Sequence, residues 1–186
     1  MKEGLIEPEG IVIDAKSGVT GTGRGAASEF GYVETSEDIF AYGLEAHPHV
    51  PEMEQALAQL AGKKASVAFT PHIVPMRRGI LATCYARPKG ALQPAQLYAA
   101  AEACYRGEPF IRLRPLEKGQ SAHTGWAGGS NLAFLSYAVN ARTGLVIAIG
   151  AIDNLGKGAA AQAVQNANLM TGQADTAGLA GLPLWP

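Results

Sequence analysis

Short apolar runs, separated by glycine and proline, set the pattern of this 186-residue chain. Runs rich in β-branched and other apolar residues predict strands at residues 11–16, 42–46, 66–69, 79–86, 110–113, 131–139 and 145–149. Apolar residues at helical spacing predict helices at residues 51–61, 94–105 and 158–170. Because strands and helices do not alternate as regular βαβ units, the pattern favours an α+β fold with a largely antiparallel sheet over a doubly wound fold.

Two prolines in "TPHIVPMRR", residues 70–78, predict an irregular connection between two strands, because proline cannot donate a ladder hydrogen bond. Long irregular connections often carry function. His72 lies there, close in sequence to Arg77 and Arg78. It is either a contact for an anionic substrate or a packed side chain.

Composition excludes several classes of protein. With 47% hydrophobic and 17% charged residues, the chain has the make-up of a single globular domain, residues 1–186. A net charge of −1 provides no basic field for nucleic acid or an anionic membrane, so we expect small-molecule or protein partners. The first residues lack the apolar core of a signal peptide, and the longest apolar run, "GLVIAIGAI", is too short to span a bilayer. We expect a cytoplasmic protein.

Two histidines flank a proline in "GLEAHPHVPEMEQ", and Glu52 follows almost at once. Proline favours extended backbone for the residue before it, and residues two apart on a strand face the same way. His47 and His49 are therefore expected to face one cleft, just before a helix that begins at Pro51. Three interpretations stay open: metal ligands, acid-base or substrate groups, and structural histidines. No spacing resembles a zinc motif, so no metal is expected.

A glycine-rich stretch at residues 17–27 follows the first predicted strand. Its spacing does not match GxGxxG, because Gly25 comes two positions after Gly23 and Ala26 follows. The open alternatives are an anion site, built from backbone amides near Lys16 and Arg24, and a plain surface loop.

Polar residues also follow the last predicted strand, in "AIDNLGKGAAAQAVQN". Asp153, Asn154 and Lys157 stand at the start of the helix predicted at residues 158–170. Polar groups at this position either bind a ligand or cap the helix.

Five blocks, in order and across nearly the whole chain, resemble the N-acetyl-gamma-glutamyl-phosphate reductase family: "KSGVTGTGR", "HPHVPEMEQAL", "VAFTPHIVPMRRGILAT", "GEPFIRL" and "AIDNLGKGAAAQAVQNANLMTG". The resemblance extends to the similar reductase of the amino-adipate route to lysine. It implies a fold like the second domain of glyceraldehyde-3-phosphate dehydrogenases, a mainly antiparallel mixed sheet with helices on one face. The sheet of such a domain commonly forms a subunit interface, so a homo-oligomer is implied.

The resemblance also implies an activity, the NADPH-dependent reductive dephosphorylation of an acyl phosphate to a semialdehyde in arginine biosynthesis. A cysteine thiolate attacks the acyl phosphate in this family, and hydride from NADPH reduces the resulting thioester. The implied acid-base residue is His49, with His47 as second choice. The implied substrate contacts are Ser17, Arg24 and Glu52, and the implied NADP contacts are Asn154 and, more weakly, Lys157.

Two kinds of departure from the family pattern bear on these expectations. Pro48 replaces an arginine, which removes a cation, and Val50 stands where a threonine would cap the helix. More importantly, family members carry an N-terminal Rossmann domain and the nucleophilic cysteine before the region that matches here. We therefore expect that this chain alone is inactive, that a Rossmann domain is needed in cis or in trans, and that the helix at residues 158–170 packs toward it.

Two alternatives remain open at this point. One is the corresponding domain of the lysine-pathway amino-adipyl-phosphate reductase. The other is a non-catalytic oligomerisation or ligand-binding module derived from the family, for which Pro48 and Val50 would be early signs of drift.

Overall fold

The computed structural model describes residues 1–23, 27–116 and 120–184. Within these ranges the strands are β1 (Ile11–Ser17), β2 (Phe40–Ala41), β3 (Val67–Ile73), β4 (Ile80–Ala86), β5 (Ile111–Leu113), β6 (Ala133–Val139) and β7 (Val146–Ile152). The α-helices are α1 (His49–Ala61), α2 (Pro94–Cys104), α3 (Thr124–Ala127) and α4 (Ala161–Met170). A π-helical turn, Gly156–Ala160, leads directly into α4.

All these strands form one sheet in the order β2-β3-β1-β4-β7-β6-β5. The β1/β3 and β5/β6 pairs are parallel, and the other neighbouring pairs are antiparallel. This confirms the predicted α+β fold with a largely antiparallel mixed sheet. No helix in the described ranges is long and apolar enough to cross a membrane.

The two longest helices pack on the same face of the sheet. Leu92 and Leu97, before and within α2, form a core cluster with Val146 of β7. The ring of His47, just before α1, contacts Phe69 of β3. The strand register places Val146 and Phe69 on one face. On the opposite face Trp126 of the short α3 contacts Phe134, while Val12 is 42% exposed.

Two predicted boundaries are wrong at the β2 edge of the sheet. The strand predicted at residues 42–46 is observed at Phe40–Ala41, and β3 continues through Pro71, where an irregular connection was predicted. The Pro71 carbonyl accepts a hydrogen bond from the backbone N–H of Tyr42, so this residue presents its backbone polar groups toward β2. Because β2 pairs with β3 at only two positions, the missing proline N–H breaks no long ladder.

Helix α1 begins at His49, two residues before the predicted start. Pro48 is its N-cap, with no side-chain cap hydrogen bond, so Val50 lies inside the first turn and not at the capping position that the sequence indicated. Glu54 anchors the helix instead, because its Oε1 accepts a hydrogen bond of 3.0 Å from the backbone N–H of Val67 at the start of β3.

Candidate functional site

Ser17 and Asn154 meet where β1 and β7 end, although 137 positions separate them in the chain. Asn154 Nδ2 donates to Ser17 Oγ at 3.0 Å, and the Asn154 Oδ1 accepts from the backbone N–H of Gly79. Ser17 and Asn154 are 9% and 3% exposed. We call these two residues and Gly79 the strand-end cluster. The structure thus brings together one predicted substrate contact and one predicted cofactor contact.

The turn after β1 covers the strand-end cluster closely. A Cβ added to Gly21 would lie 2.6 Å from Ser17 Oγ and 2.8 Å from Asn154 Nδ2. Backbone hydrogen bonds join Gly18 to the Gly79 carbonyl and Val19 to the Met76 carbonyl. Glycine at position 21 is therefore required by close contact and not by backbone conformation. Arg24, the other predicted substrate contact of this stretch, lies outside the described residues.

Asp153, for which the sequence left ligand binding and helix capping open, precedes Asn154 of the cluster and makes neither kind of contact alone. Its fully buried carboxylate accepts from Arg78 Nε at 2.8 Å and from Arg78 Nη2 at 2.7 Å. Backbone N–H groups of Gly129, Leu155 and Gly156 also donate to it. Burial raises the pKa of Asp153, but the hydrogen bonds from Arg78, Gly129 and Gly156 and the Arg78 charge together hold it below its usual value.

The two predicted acid-base residues form a second group at the start of α1. Their rings lie 4.9 Å apart, and the His47 Nδ1 accepts a hydrogen bond of 3.2 Å from the backbone N–H of His49. The proton of neutral His47 is therefore on Nε2. Burial, followed by the nearby His49, lowers the pKa of His47 and favours its neutral form. The exposed His49 and Glu52 lie in the first turn of the helix.

Lys157, the weaker predicted cofactor contact, lies apart from both groups in the π-helical turn. Its Nζ donates to Gln165 Oε1 at 2.7 Å and lies 5.4 Å from the centre of the Phe110 ring. Burial lowers the pKa of Lys157, while the negative charges of Glu108 and Asp175 oppose that shift. The ammonium is thus held by the protein's own polar groups.

A cavity of about 360 Å³ lies between the glycine turn and the segment that contains Phe30. Val19, Thr20 and Thr22 belong to one wall, and Phe30 belongs to the other. The Phe30 ring contacts the Tyr42 ring at 5.7 Å, and Tyr42 contacts His47 at 5.8 Å. Two ring contacts in series thus lead from Phe30 in the cavity wall to His47.

A second cavity of about 510 Å³, larger than the first, lies far from these residues, between the β4–α2 connection and the β6–β7 hairpin. Its lining, which includes Pro88, Gln93 and Asn140, holds no titratable side chain. The smaller cavity is the candidate site because it lies at the glycine turn that covers Ser17 and Asn154.

Neither cysteine is placed as a nucleophile. Burial raises the pKa of the Cys84 thiol to about 11, so it is protonated at neutral pH. Cys104 is exposed on α2, away from the candidate site. Within the described ranges, no three His, Cys, Asp or Glu side chains gather as metal ligands.

The chain belongs to the family described as "Semialdehyde dehydrogenase, dimerisation domain", whose model matches residues 1–154. Two solved structures, both of aspartate semialdehyde dehydrogenases, share the fold. The Vibrio cholerae enzyme II has a TM-score of 0.66 and 15% identity, covering 88% of this chain and 55% of that one. The Francisella tularensis enzyme has a TM-score of 0.69 and 10% identity, covering 91% and 59%.

Curated relatives agree with the family that the sequence blocks indicated. The chain is 54% identical, over 98% of its length, to the N-acetyl-gamma-glutamyl-phosphate reductase of Bradyrhizobium sp. (strain BTAi1 / ATCC BAA-1182), of which it covers 55%. It is 50% identical over its whole length to the protein of the same name from Geobacter metallireducens, of which it covers 54%. The resemblance is confirmed, and the chain spans about half the length of these relatives.

Proposed function

We propose that this chain is the substrate-binding half of an NADPH-dependent reductase that converts N-acetyl-glutamyl phosphate to N-acetyl-glutamate semialdehyde and phosphate in arginine biosynthesis. The observation that carries the proposal is the cavity between the glycine turn and Phe30, which borders Ser17's turn and is linked through Tyr42 to His47. Small-molecule reductases are also what the relatives' names describe.

The substrate lies in this cavity, with its anionic end toward the glycine turn. The amides of Val19 and Thr20 already donate to backbone carbonyls, so side chains at this turn must supply the donors for an acyl phosphate or a carboxylate. Ser17 and Arg24 are the proposed contacts on this side. Glu52, on the first turn of α1, is the proposed contact on the histidine side.

His49 is the proposed acid-base residue, and His47 supports it. The His49 ring is exposed and so can reach a substrate. The neighbouring His47 is held neutral by its lowered pKa, so it does not repel a protonated His49. The hydrogen bond from the His49 backbone to His47 Nδ1 keeps the two rings side by side.

NADPH, which supplies the hydride, is bound mainly by a Rossmann domain that acts in cis or in trans. Asn154 and Lys157 are the proposed contacts from this chain. Both have their polar groups in internal hydrogen bonds, so each must exchange one of them to reach the cofactor. The apolar residues exposed on α4, Val164 and Met170, form the proposed surface for that domain.

A homo-oligomer forms through the face of the sheet opposite α1 and α2. Val12, Tyr85 and Ile149 share this face by strand register, and Val12 is exposed. The family's description as a dimerisation domain supports such an assembly. A cytoplasmic location is part of the same proposal.

Oxidation of NADPH in the presence of N-acetyl-glutamyl phosphate tests the proposed function. The chain alone should show only background oxidation, because neither Cys84 nor Cys104 can replace the missing thiolate. A protein that joins this chain to a dinucleotide-binding half with its cysteine should turn over. In that protein His49→Ala should lower kcat about 100- to 10,000-fold, the usual contribution of acid-base catalysis.

The matched control is His123→Ala, which removes another exposed imidazole, one that stacks on Trp126 outside the proposed site. Its kcat should stay near that of the unchanged protein. Turnover by the chain alone, or full activity after His49→Ala, would contradict the proposal.

A further inference from the structure

Arg78 and the fully buried Asp153 form an ion pair next to the strand-end cluster, in which the Arg78 side chain is 36% exposed. Both Asp153 oxygens accept from the Arg78 guanidinium, in the two-point geometry that fixes the orientation of both groups. Three backbone N–H groups donate to the same carboxylate. The pair therefore joins the start of β4, the loop before β6 and the turn after β7.

One route from this pair leads to the glycine turn through the backbone around Arg78. The amides of Gly18, Val19 and Thr20 donate to the carbonyls of Gly79, Met76 and Arg77, respectively. The Thr20 hydroxyl also donates to the Arg77 carbonyl at 2.7 Å. The turn that lines the candidate cavity is thus docked on the segment that Arg78 anchors.

A second route leads through the residue next to Asp153. Two of the N–H groups bound by the Asp153 carboxylate belong to Leu155 and Gly156, which fixes the turn on which Asn154 stands. Asn154 then holds Ser17 and Gly79. Close packing leaves this turn little freedom, because a Cβ on Gly156 would lie 2.0 Å from the Ser130 carbonyl oxygen.

We propose that Arg78 and Asp153 are positioning residues, which set the place of Ser17 and the Gly18–Thr20 backbone for the acyl-phosphate substrate. The inference rests on the proposed function for its substrate. Neither residue needs to touch the substrate, because both act on the cavity wall through the hydrogen bonds of the Gly18–Thr20 backbone and of Asn154.

Amide hydrogen exchange on this chain tests the positioning itself. In Arg78→Lys, which keeps the charge but loses the two-point contact, exchange at Gly18, Val19 and Thr20 should rise about tenfold. Exchange at Asn140 and Gly144, which are hydrogen-bonded in the distant β6–β7 hairpin, should not change. Arg142→Gln removes an exposed arginine from that hairpin and should leave exchange at Gly18–Thr20 unaltered.

Kinetics in a protein with both halves test the link to the substrate. Arg78→Lys should raise the KM for acyl phosphate about tenfold and leave the KM for NADPH within about twofold, with kcat less affected. Asp153→Asn should raise both KM values, because it also loosens the turn that carries Asn154, the proposed NADPH contact, so Arg78→Lys is the deciding variant. A merely structural role would lower the active fraction, and thus apparent kcat, without changing either KM.

The proposal is overturned if Arg78→Lys leaves exchange at Gly18–Thr20 constant or raises it equally at Asn140 and Gly144, or if both KM values rise equally in Arg78→Lys. If the unchanged two-half protein does not turn over at all, the proposed function fails. The exchange measurement still decides whether Arg78 and Asp153 position the turn.

Discussion

The strand-end cluster and the histidine pair are held in place in different ways. Ser17, Asn154 and Gly79 are buried and hydrogen-bonded to one another across three segments of the chain. His47 and His49 lie at a helix start without a side-chain cap, fixed by ring contacts and one backbone hydrogen bond. The strand-end cluster is thus held by more internal contacts than the histidines, and in the proposed function the first group positions the substrate and the second exchanges protons.

The largest expected effect is the loss of stability when a methyl group is added at Gly156, in the turn that carries Asn154. A Cβ at Gly156 would lie 2.0 Å from the Ser130 carbonyl oxygen, so Gly156→Ala should lower the free energy of unfolding by about 3 kcal/mol. Urea denaturation measures it. Gly181→Ala, where the new Cβ meets no atom within 4 Å, should change stability by no more than about 0.5 kcal/mol. Equal effects of the two substitutions would contradict the close packing.

A smaller loss should follow when the Asn154 amide is removed. Asn154→Ala leaves the Gly79 N–H without its acceptor in a buried place, which should cost about 1 to 3 kcal/mol. Asn166→Ala is the matched control, because Asn166 is exposed on α4 and accepts only from Gln162 among the described residues. A loss below about 0.5 kcal/mol for Asn154→Ala would show that water or another group replaces the amide.

Stability in acid should depend on Asp153 more than on an exposed carboxylate. Its lowered pKa means that the ionised form is favoured by folding. The resulting stability is fully present above the unfolded pKa of about 3.9, and is lost as pH falls through the lower folded pKa. Urea midpoints between pH 5 and pH 2 should therefore fall more steeply for the unchanged chain than for Asp153→Asn. Parallel curves would contradict this prediction.

The smallest expected effect is a change in the pKa of His47 when its neighbour His49 is replaced. Because the pKa of His47 is lowered, its stabilising contribution is present above the unfolded value of about 6.5 and is lost as pH falls through the folded value. An NMR titration of the ring should give a pKa below about 6.5. His49→Ala should raise that pKa toward the usual value, since it removes a neighbouring charge. An unchanged pKa in this variant would show that the two imidazoles do not interact.

Sequence reasoning named residues of both groups, but it did not reveal how the strand-end cluster is held together. Periodic apolar residues located most strands and helices, and the two histidines stand out because both flank Pro48. The ion pair of Asp153 with Arg78 could not be predicted in this way, because the two residues are 75 positions apart and no local sequence pattern links them. Similarly, nothing in the local sequence reveals that Gly21 lies against Ser17 and Asn154.

Errors at the strand boundaries have a related cause. Proline at position 71 argued against a strand, but the number of hydrogen bonds lost depends on which neighbouring strand the missing N–H would face. Only the observed pairing shows that β2 is two residues long at this edge. Local rules therefore predicted the type of the longer strands and helices, whereas their extent was set by tertiary pairing.

The most direct test of the central claim is to map N-acetyl-glutamate, a stable analogue of the substrate's acyl part, on this chain by NMR. We predict saturable shifts at the amides of Ser17, Val19 and Thr20 and in the rings of His47 and His49, which would place the substrate in the cavity between the two regions. Shifts confined to the distant cavity at Pro88 and Asn140, or none at millimolar concentrations, would contradict the claim.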